Sequence, residues 1–413
     1  MDHRPGMVLM TALTLGGGVP SDAHAQTWTP PDAAMVERAR AILADAPLID
    51  GHNDLPSKIL EDAGGDLNAM DIGQTQPGLM TDLPRMRAGR LGAQFWAAYV
   101  DVDSMATGAA LRQGLREVDM VHRMVGHYPD LELALSADDI VRIHEDGRIA
   151  SLIGLEGGHA IENSLAALRM FYALGVRYMT LTHSATTAWA DAATDRARHG
   201  GLTPFGVDVI REMNRIGMFV DLSHVSEGTM NDVLDVTTAP VLFTHSSARA
   251  LVPVPRDVPD DVLRRVPANG GVVMVTFVPG FVSAEVAQWE KTRAAQSDSL
   301  RAAGVTGDAL DVAMDGWAAD HPRPRATVAD VADHIDHIRQ VAGIDYIGIG
   351  SDFDGITSTP VGLEDASTFP VLFAELLRRG YSETDLRKIA GLNLLRAMRQ
   401  MEQVAQQARQ TRE

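Results

Sequence analysis

With 413 residues, 45% of them hydrophobic, the chain can bury a full core as one large α/β domain or two smaller ones, which excludes a largely disordered protein. A formal charge of −19, spread along the chain, argues against nucleic acid or an anionic membrane as partner. Because there is no cysteine, no disulfide can hold the fold and no thiolate can act as nucleophile or ligand, so any metal must sit on His, Asp and Glu.

At the start of the chain, Arg4 precedes an apolar run from Met7 to Leu15, and a Gly/Pro break leads to Ala23-His24-Ala25 before Gln26. Residues 1–25 read as a secretory signal, which makes 26–413 a single exported domain, periplasmic or extracellular. No other run approaches the length that spans a bilayer, and the polar tail from Met401 carries no lipid-anchor signal.

Helical spacing of Ala34, Met35, Ala39, Ile42 and Leu43 predicts a helix over 31–45. The apolar run that begins at Leu48 then enters Gly51-His52-Asn53-Asp54. Residues two apart on a strand share a side, so His52 and Asp54 can aim an imidazole and a carboxylate at one point. A Gly- and polar-rich stretch over 61–76 separates this strand from a second over 92–100, and a helix follows over 111–127.

A strand-then-helix alternation continues. Residues 151–155 run into Glu156, with a helix over 164–174; 178–182 run into His183, with a helix from Thr203-Pro204 to Gly217; 218–223 run into His224, with a short helix capped by Ser226. Residues 241–244 end at His245 before a Pro-rich stretch over 251–261; 271–277 form a seventh apolar run, and 346–351 end at Asp352. Eight such strands predict an α/β fold, a (β/α)8 TIM-like barrel, and no Gly-rich phosphate loop follows the first strand to favour an open doubly wound sheet. Residues 281–325, Ala-rich and charged, break the alternation as a helical insertion after strand seven, over the mouth or at a subunit interface.

In a barrel the C-terminal ends of the strands converge, which brings His52, Asp54, Glu156, His183, His224, His245 and Asp352 to one mouth. Imidazoles and carboxylates in such number need cations to organise them, and Zn²⁺ takes both ligand types. Two ions suit the count better than one, since a carboxylate has two oxygens with which to bridge them. Two metals roughly 3.5–4 Å apart can hold a hydroxide and polarise a substrate oxygen, which makes hydrolysis the natural reaction.

The segment Leu155-Glu156-Gly157-Gly158-His159-Ala160-Ile161, followed by Tyr172 and by Gly175 to His183, resembles the characteristic segment of the membrane (renal) dipeptidase family of zinc peptidases. Ile49 to Pro56, Asp221 to Ser226, Thr244 to Ala248, Arg256 to Asp261 and Gly350 to Gly355 resemble its other landmarks in the same order, so the similarity covers roughly 48–404. The resemblance implies a dimeric (β/α)8 barrel of the metal-dependent hydrolase type that hydrolyses dipeptides with two zinc ions. His52, Asp54 and Glu156 would hold one ion and Glu156, His224 and His245 the other, with Glu156 bridging. It further implies that His183 contacts the substrate and stabilises the oxyanion, that Arg256 binds the substrate's terminal carboxylate, and that Asp352, also at the substrate, assists proton transfer. By its neighbours alone, Arg256 reads as a surface partner of Asp257, Asp260 or Asp261. The disulfides and lipid anchor of the mammalian members are absent here.

Two other readings compete: a related binuclear-metal hydrolase of an acyl-amino acid, lactone or other small amide or ester, and a non-catalytic ligand-binding barrel, whose mark would be a broken ligand set. His159 reads as a hydrogen-bonding neighbour of the site, and His334 and His337, with Asp333 and Asp336, as a solvated helix face. Trp96, Trp289 and Trp317 read as packing, and Trp189, just beyond His183, could wall the pocket.

Overall fold

Nine parallel strands carry the fold in the computed structural model, which describes residues 28–410; the segment read as a signal lies outside them. They are β1 (Leu48–Asn53), β2 (Leu91–Tyr99), β3 (Leu131–Leu133), β4 (Ile149–Glu156), β5 (Val176–Thr180), β6 (Phe219–Asp221), β7 (Leu242–Ser246), β8 (Val272–Val275) and β9 (Ile347–Ile349). Eight of them close a ring in the order β1-β2-β4-β5-β6-β7-β8-β9 and back to β1. The pairing of β2 with β4, from Ala93 opposite Ala150 to Tyr99 opposite Glu156, completes the closure. The eight barrel strands correspond to the eight apolar runs of the sequence, which read as near-continuous hydrophobic stretches because helices and core cover both faces.

The ninth strand, β3, was not expected. It pairs with Ile149–Ser151 at the start of β4, on the edge that β5 takes over from Ile153 onward. Three residues are too few for an alternation to register.

Two apolar clusters divide the interior. One lies between the barrel wall and its helices and includes Leu48, Trp96, Ile153, Val220 and Phe243. The other runs from inward-facing residues near the strand starts, Ile49, Phe95, Phe219, Leu242 and Met274, to Leu394, Met398 and Met401 of the last helix, Asn393–Gln410. The start-of-strand end is thus filled by apolar side chains, which leaves the opposite end to polar chemistry.

The connections that flank the mouth are helical where composition did not announce it. Leu55–Asp62, with Pro56 in its first turn, begins directly after Asp54. The segment after β8 forms helices Ala284–Ala302 and Asp308–Asp320, as its Ala-rich composition predicts. In helix Val328–Val341 the expected solvated face needs correction: His334 is completely buried, its Nδ1 accepting from the Ala248 amide at 2.9 Å and its Nε2 standing 3.3 Å from the Val282 carbonyl. His337 is paired with Asp260 at 2.7 Å. Both imidazoles tie the helix to the loops beneath it.

Candidate active site

Strand ends position the candidate residues. His52 lies in β1 with Asp54 just beyond it, Glu156 is the last residue of β4, and His245 lies in β7; His183, His224 and Asp352 follow β5, β6 and β9. A cavity of about 410 Å³ is lined by Asp54, Glu156, His183, His224, His245 and Asp352, and also by Arg256. His52 lies against this group, 1% exposed. His224 and Asp352 hold left-handed backbones, φ 69° and 64°, a region that residues other than glycine seldom occupy. Such strain at a strand end turns the side chain back into the mouth and persists because the surrounding ladder over-determines it.

Glu156 is the centre of the arrangement. Its Oε2 stands 3.4 Å from His52 Nε2, and its Oε1 stands 3.0 Å from His224 Nε2 and 3.4 Å from His245 Nε2. Asp54 Oδ2 is 3.4 Å from the same His52 nitrogen. The two carboxylate oxygens therefore address separate groups of ligand-type atoms. Three trios each gather their ligand atoms within 4.8 Å: His52, Glu156 and His245; Glu156, His183 and His224; His52, Asp54 and Asp352.

A neighbouring hydroxyl sets the His245 tautomer. Thr180 and Thr244 both donate to Asp221 Oδ2, at 2.6 and 2.8 Å. With its proton committed, the Thr244 oxygen 2.9 Å from His245 Nδ1 is an acceptor, so Nδ1 carries the hydrogen and the Nε2 lone pair faces the mouth. On the opposite side His52 Nδ1 lies 2.8 Å from the Tyr178 hydroxyl, which leaves His52 Nε2 toward Asp54 and Glu156. Tyr178 fits there because its strand neighbour is Gly154, where any Cβ would overlap the Tyr178 ring. Imidazole nitrogens and carboxylate oxygens gathered around Glu156 are the donor types of a metal centre, and these residues fit one.

Charges in the pocket are correspondingly displaced. Burial drives the His224 and His245 imidazoles well below their ordinary range, with Arg256 adding repulsion. Burial also opposes the His52 cation, yet Tyr178, Glu156 and Asp54 together hold it well above the usual value. Glu156 is kept ionised against burial by His52, His224 and His183. Asp352 is pushed up to about 7, chiefly by burial, with Asp54 and Glu156 adding to the rise while His52 and Arg256 oppose it.

Arg256 is 5% exposed. Among the described residues it forms no ion pair with Asp257, Asp260 or Asp261, so the surface-partner reading fails. Its Nη2 stands 3.4 Å from the His245 carbonyl, its Nη1 is buried without a hydrogen-bond partner, and its guanidinium lies 5.3 Å from the centroid of the Phe281 ring.

A family model for membrane dipeptidases, peptidase family M19, matches residues 36–412. The chain belongs to this family. It is a metallopeptidase, a hydrolase of peptide bonds. Rat Dipeptidase 3 is 41% identical over 370 residues, covering 88% of this chain and 67% of that protein, so the chain spans about two thirds of its relative's length. A probable dipeptidase from Pseudomonas aeruginosa shares the fold with a TM-score of 0.78, at 22% identity over 90% of this chain and 99% of that one. A metallopeptidase from Rhodobacter sphaeroides, solved with a phosphinate mimic of the dipeptide L-Ala-D-Ala, gives 0.68 at 25% identity, covering 86% and 99%. Among the described residues of this M19 peptidase no helix is long and apolar enough to cross a membrane.

Several participants escaped sequence reasoning. Tyr178 lies within β5 and Asp221 closes β6, where an inward polar residue looks like any other member of an apolar run; only the glycine opposite Tyr178 could have signalled the tyrosine. Tyr99, at the end of β2, lines the cavity and meets the His183 ring edge-on at 4.9 Å. Phe281 and three residues of helix Leu55–Asp62, Ser57, Lys58 and Glu61, also line it. His159, 6% exposed, stands 3.2 Å from the Asp101 carbonyl and belongs to none of the three trios. Trp189 is buried behind Gly158 and packs edge-on to Phe205, and does not wall the cavity.

Proposed function

We propose that this M19 peptidase is an exported, homodimeric, zinc-dependent dipeptidase, with residues 1–25 as its signal and 26–413 as one catalytic domain. The observation that carries the reading is the juxtaposition of Glu156, whose two oxygens face separate sets of ligands, with the unpaired buried guanidinium of Arg256 in the same cavity. In this proposal His52, Asp54 and Glu156 would hold one zinc ion, and Glu156, His224 and His245 would hold the other. Bound zinc supplies an activated water at neutral pH and polarises the scissile carbonyl.

The chain's own residues do the rest. Arg256 receives the substrate's free carboxylate through two parallel hydrogen bonds, a geometry its planar fork provides and Lys does not. His183, beside His224 at 4.4 Å between ring centroids, donates to the carbonyl oxygen as negative charge develops there. Asp352, which lines the cavity just after β9, takes a proton from the attacking water and delivers it to the leaving amine. The proposal assigns His183 and Asp352 to the substrate although each also falls within one of the three trios of ligand atoms.

The test is a comparison of free dipeptides with their C-terminal amides and with tripeptides extended at the C-terminus. Free dipeptides should be hydrolysed well and the other two poorly. Equal turnover of the amide removes the dipeptidase reading and favours the broader hydrolase of small amides or esters.

A further inference from the structure

We propose that Lys58 selects dipeptides whose N-terminal residue carries an acidic side chain, a refinement that rests on the dipeptidase reading. The chain has only three lysines, Lys58, Lys291 and Lys388. Lys388 is paired with Asp345 at 2.6 Å. Lys58 lines the catalytic cavity half-buried, and among the described residues it has no ion pair. In a chain of charge −19, a half-buried ammonium left without a carboxylate partner stands out against a surface where Arg and Asp/Glu pair repeatedly.

Position in the ring says which part of the substrate it meets. Arg256 lies in the loop after β7, whereas Lys58 lies in the helix that follows β1, three strands away around the barrel. Glu156 stands between the two sides, its oxygens 3.4 Å from His52 of β1 and 3.4 Å from His245 of β7. A dipeptide whose carboxylate is held by Arg256, and whose scissile carbonyl lies at Glu156, directs its N-terminal residue toward β1 and the face of Leu55–Asp62 that carries Ser57, Lys58 and Glu61. On that face Lys58 has the flexible reach to meet a side-chain carboxylate. Glu61, exposed on the same face, offers a carboxylate to the substrate's α-ammonium.

The experiment measures kcat/KM of the zinc-loaded enzyme for Glu-Ala, Gln-Ala and Lys-Ala. Glu-Ala should exceed Gln-Ala by roughly five- to tenfold at low ionic strength, mostly through KM, and the ratio should shrink as salt is added. Lys58→Met should bring the ratio near one, and Lys58→Glu should place Lys-Ala above Glu-Ala, an inversion that a merely structural role for Lys58 cannot produce. A wild-type ratio of one, or a ratio that neither substitution moves, overturns the assignment while turnover of Gln-Ala leaves the dipeptidase reading standing. Absence of turnover on all three peptides overturns both.

Discussion

His224 and His245 hold their Nε2 atoms 2.9 Å apart, and Glu156 Oε1 lies within 3.4 Å of each. Because His245 Nδ1–H is committed to Thr244, the His245 lone pair faces the His224 ring nitrogen and an anionic oxygen at close range, a grouping of ligand-type atoms that a shared cation would hold together. Protein purified without chelator should carry close to two equivalents of zinc or a substitute ion per chain. Glu156→Gln should weaken both ions together, whereas His52→Ala should mainly affect one. Elemental analysis checks this, and a fully active preparation with one equivalent or none would sink the binuclear assignment.

Asp352→Asn should retain its metals and lose roughly 10²-fold or more in kcat, the usual scale of general acid-base help. The amide keeps the shape of the side chain and cannot carry the proton. Metal content measured beside turnover separates this role from ligation: an Asn variant that loses an ion places Asp352 among the ligands, in line with its proximity to His52 and Asp54.

The barrel was legible because its signal is redundant: eight apolar runs, six of which end within a residue or so of His, Asp or Glu, leave few other ways to bury the chain. Those residues come together as expected, since strand polarity alone sends His52, Glu156, His183, His224, His245 and Asp352 to one end. What stayed hidden were groups whose role depends on partners distant in sequence. Tyr178 and Asp221 act on imidazoles across strands, β3 is too short to show a period, and His334 looked exposed because Asp333 and Asp336 flank it. Its helix turns those carboxylates outward to Arg379, at 2.6 Å each, and the imidazole inward. Charge composition describes a helix as a whole, while burial is decided residue by residue.

Arg256→Ala should erase the preference for a free C-terminal carboxylate. The wild-type enzyme should favour a dipeptide over its amide by on the order of 2–5 kcal/mol in kcat/KM, the scale for removing one partner of a desolvated charge pair. In the variant the free dipeptide falls to the level of its amide. Arg256→Lys should recover only part of the difference, because a point charge does not reproduce two parallel hydrogen bonds. Full recovery by Lys would show that charge alone, without the fork geometry, serves the site.

Buried His334 ties the stability of the fold to pH. Burial pushes this imidazole down to about 4, with His337 adding a smaller repulsion. Its native bonds require the neutral form: Nδ1 accepts from the Ala248 amide, and Nε2–H is left to donate to the Val282 carbonyl. The unfolded chain takes up a proton here near the ordinary value of about 6.5, whereas the folded chain resists until near 4. Between those values the unfolded state binds more protons, so the contribution is present above the unfolded value and is lost as pH falls through the window. At 1.36 kcal/mol per pH unit the loss reaches about 3 kcal/mol by pH 4. His334→Gln offers an acceptor and a donor without the titration, so it should be less stable than wild type at pH 7 but lose less stability on acidification. Thermal unfolding of metal-free protein at pH 7 and pH 4.5, wild type beside variant, measures the difference while the other histidines titrate alike in both. Parallel losses in the two proteins would remove His334 from the acid sensitivity of the fold.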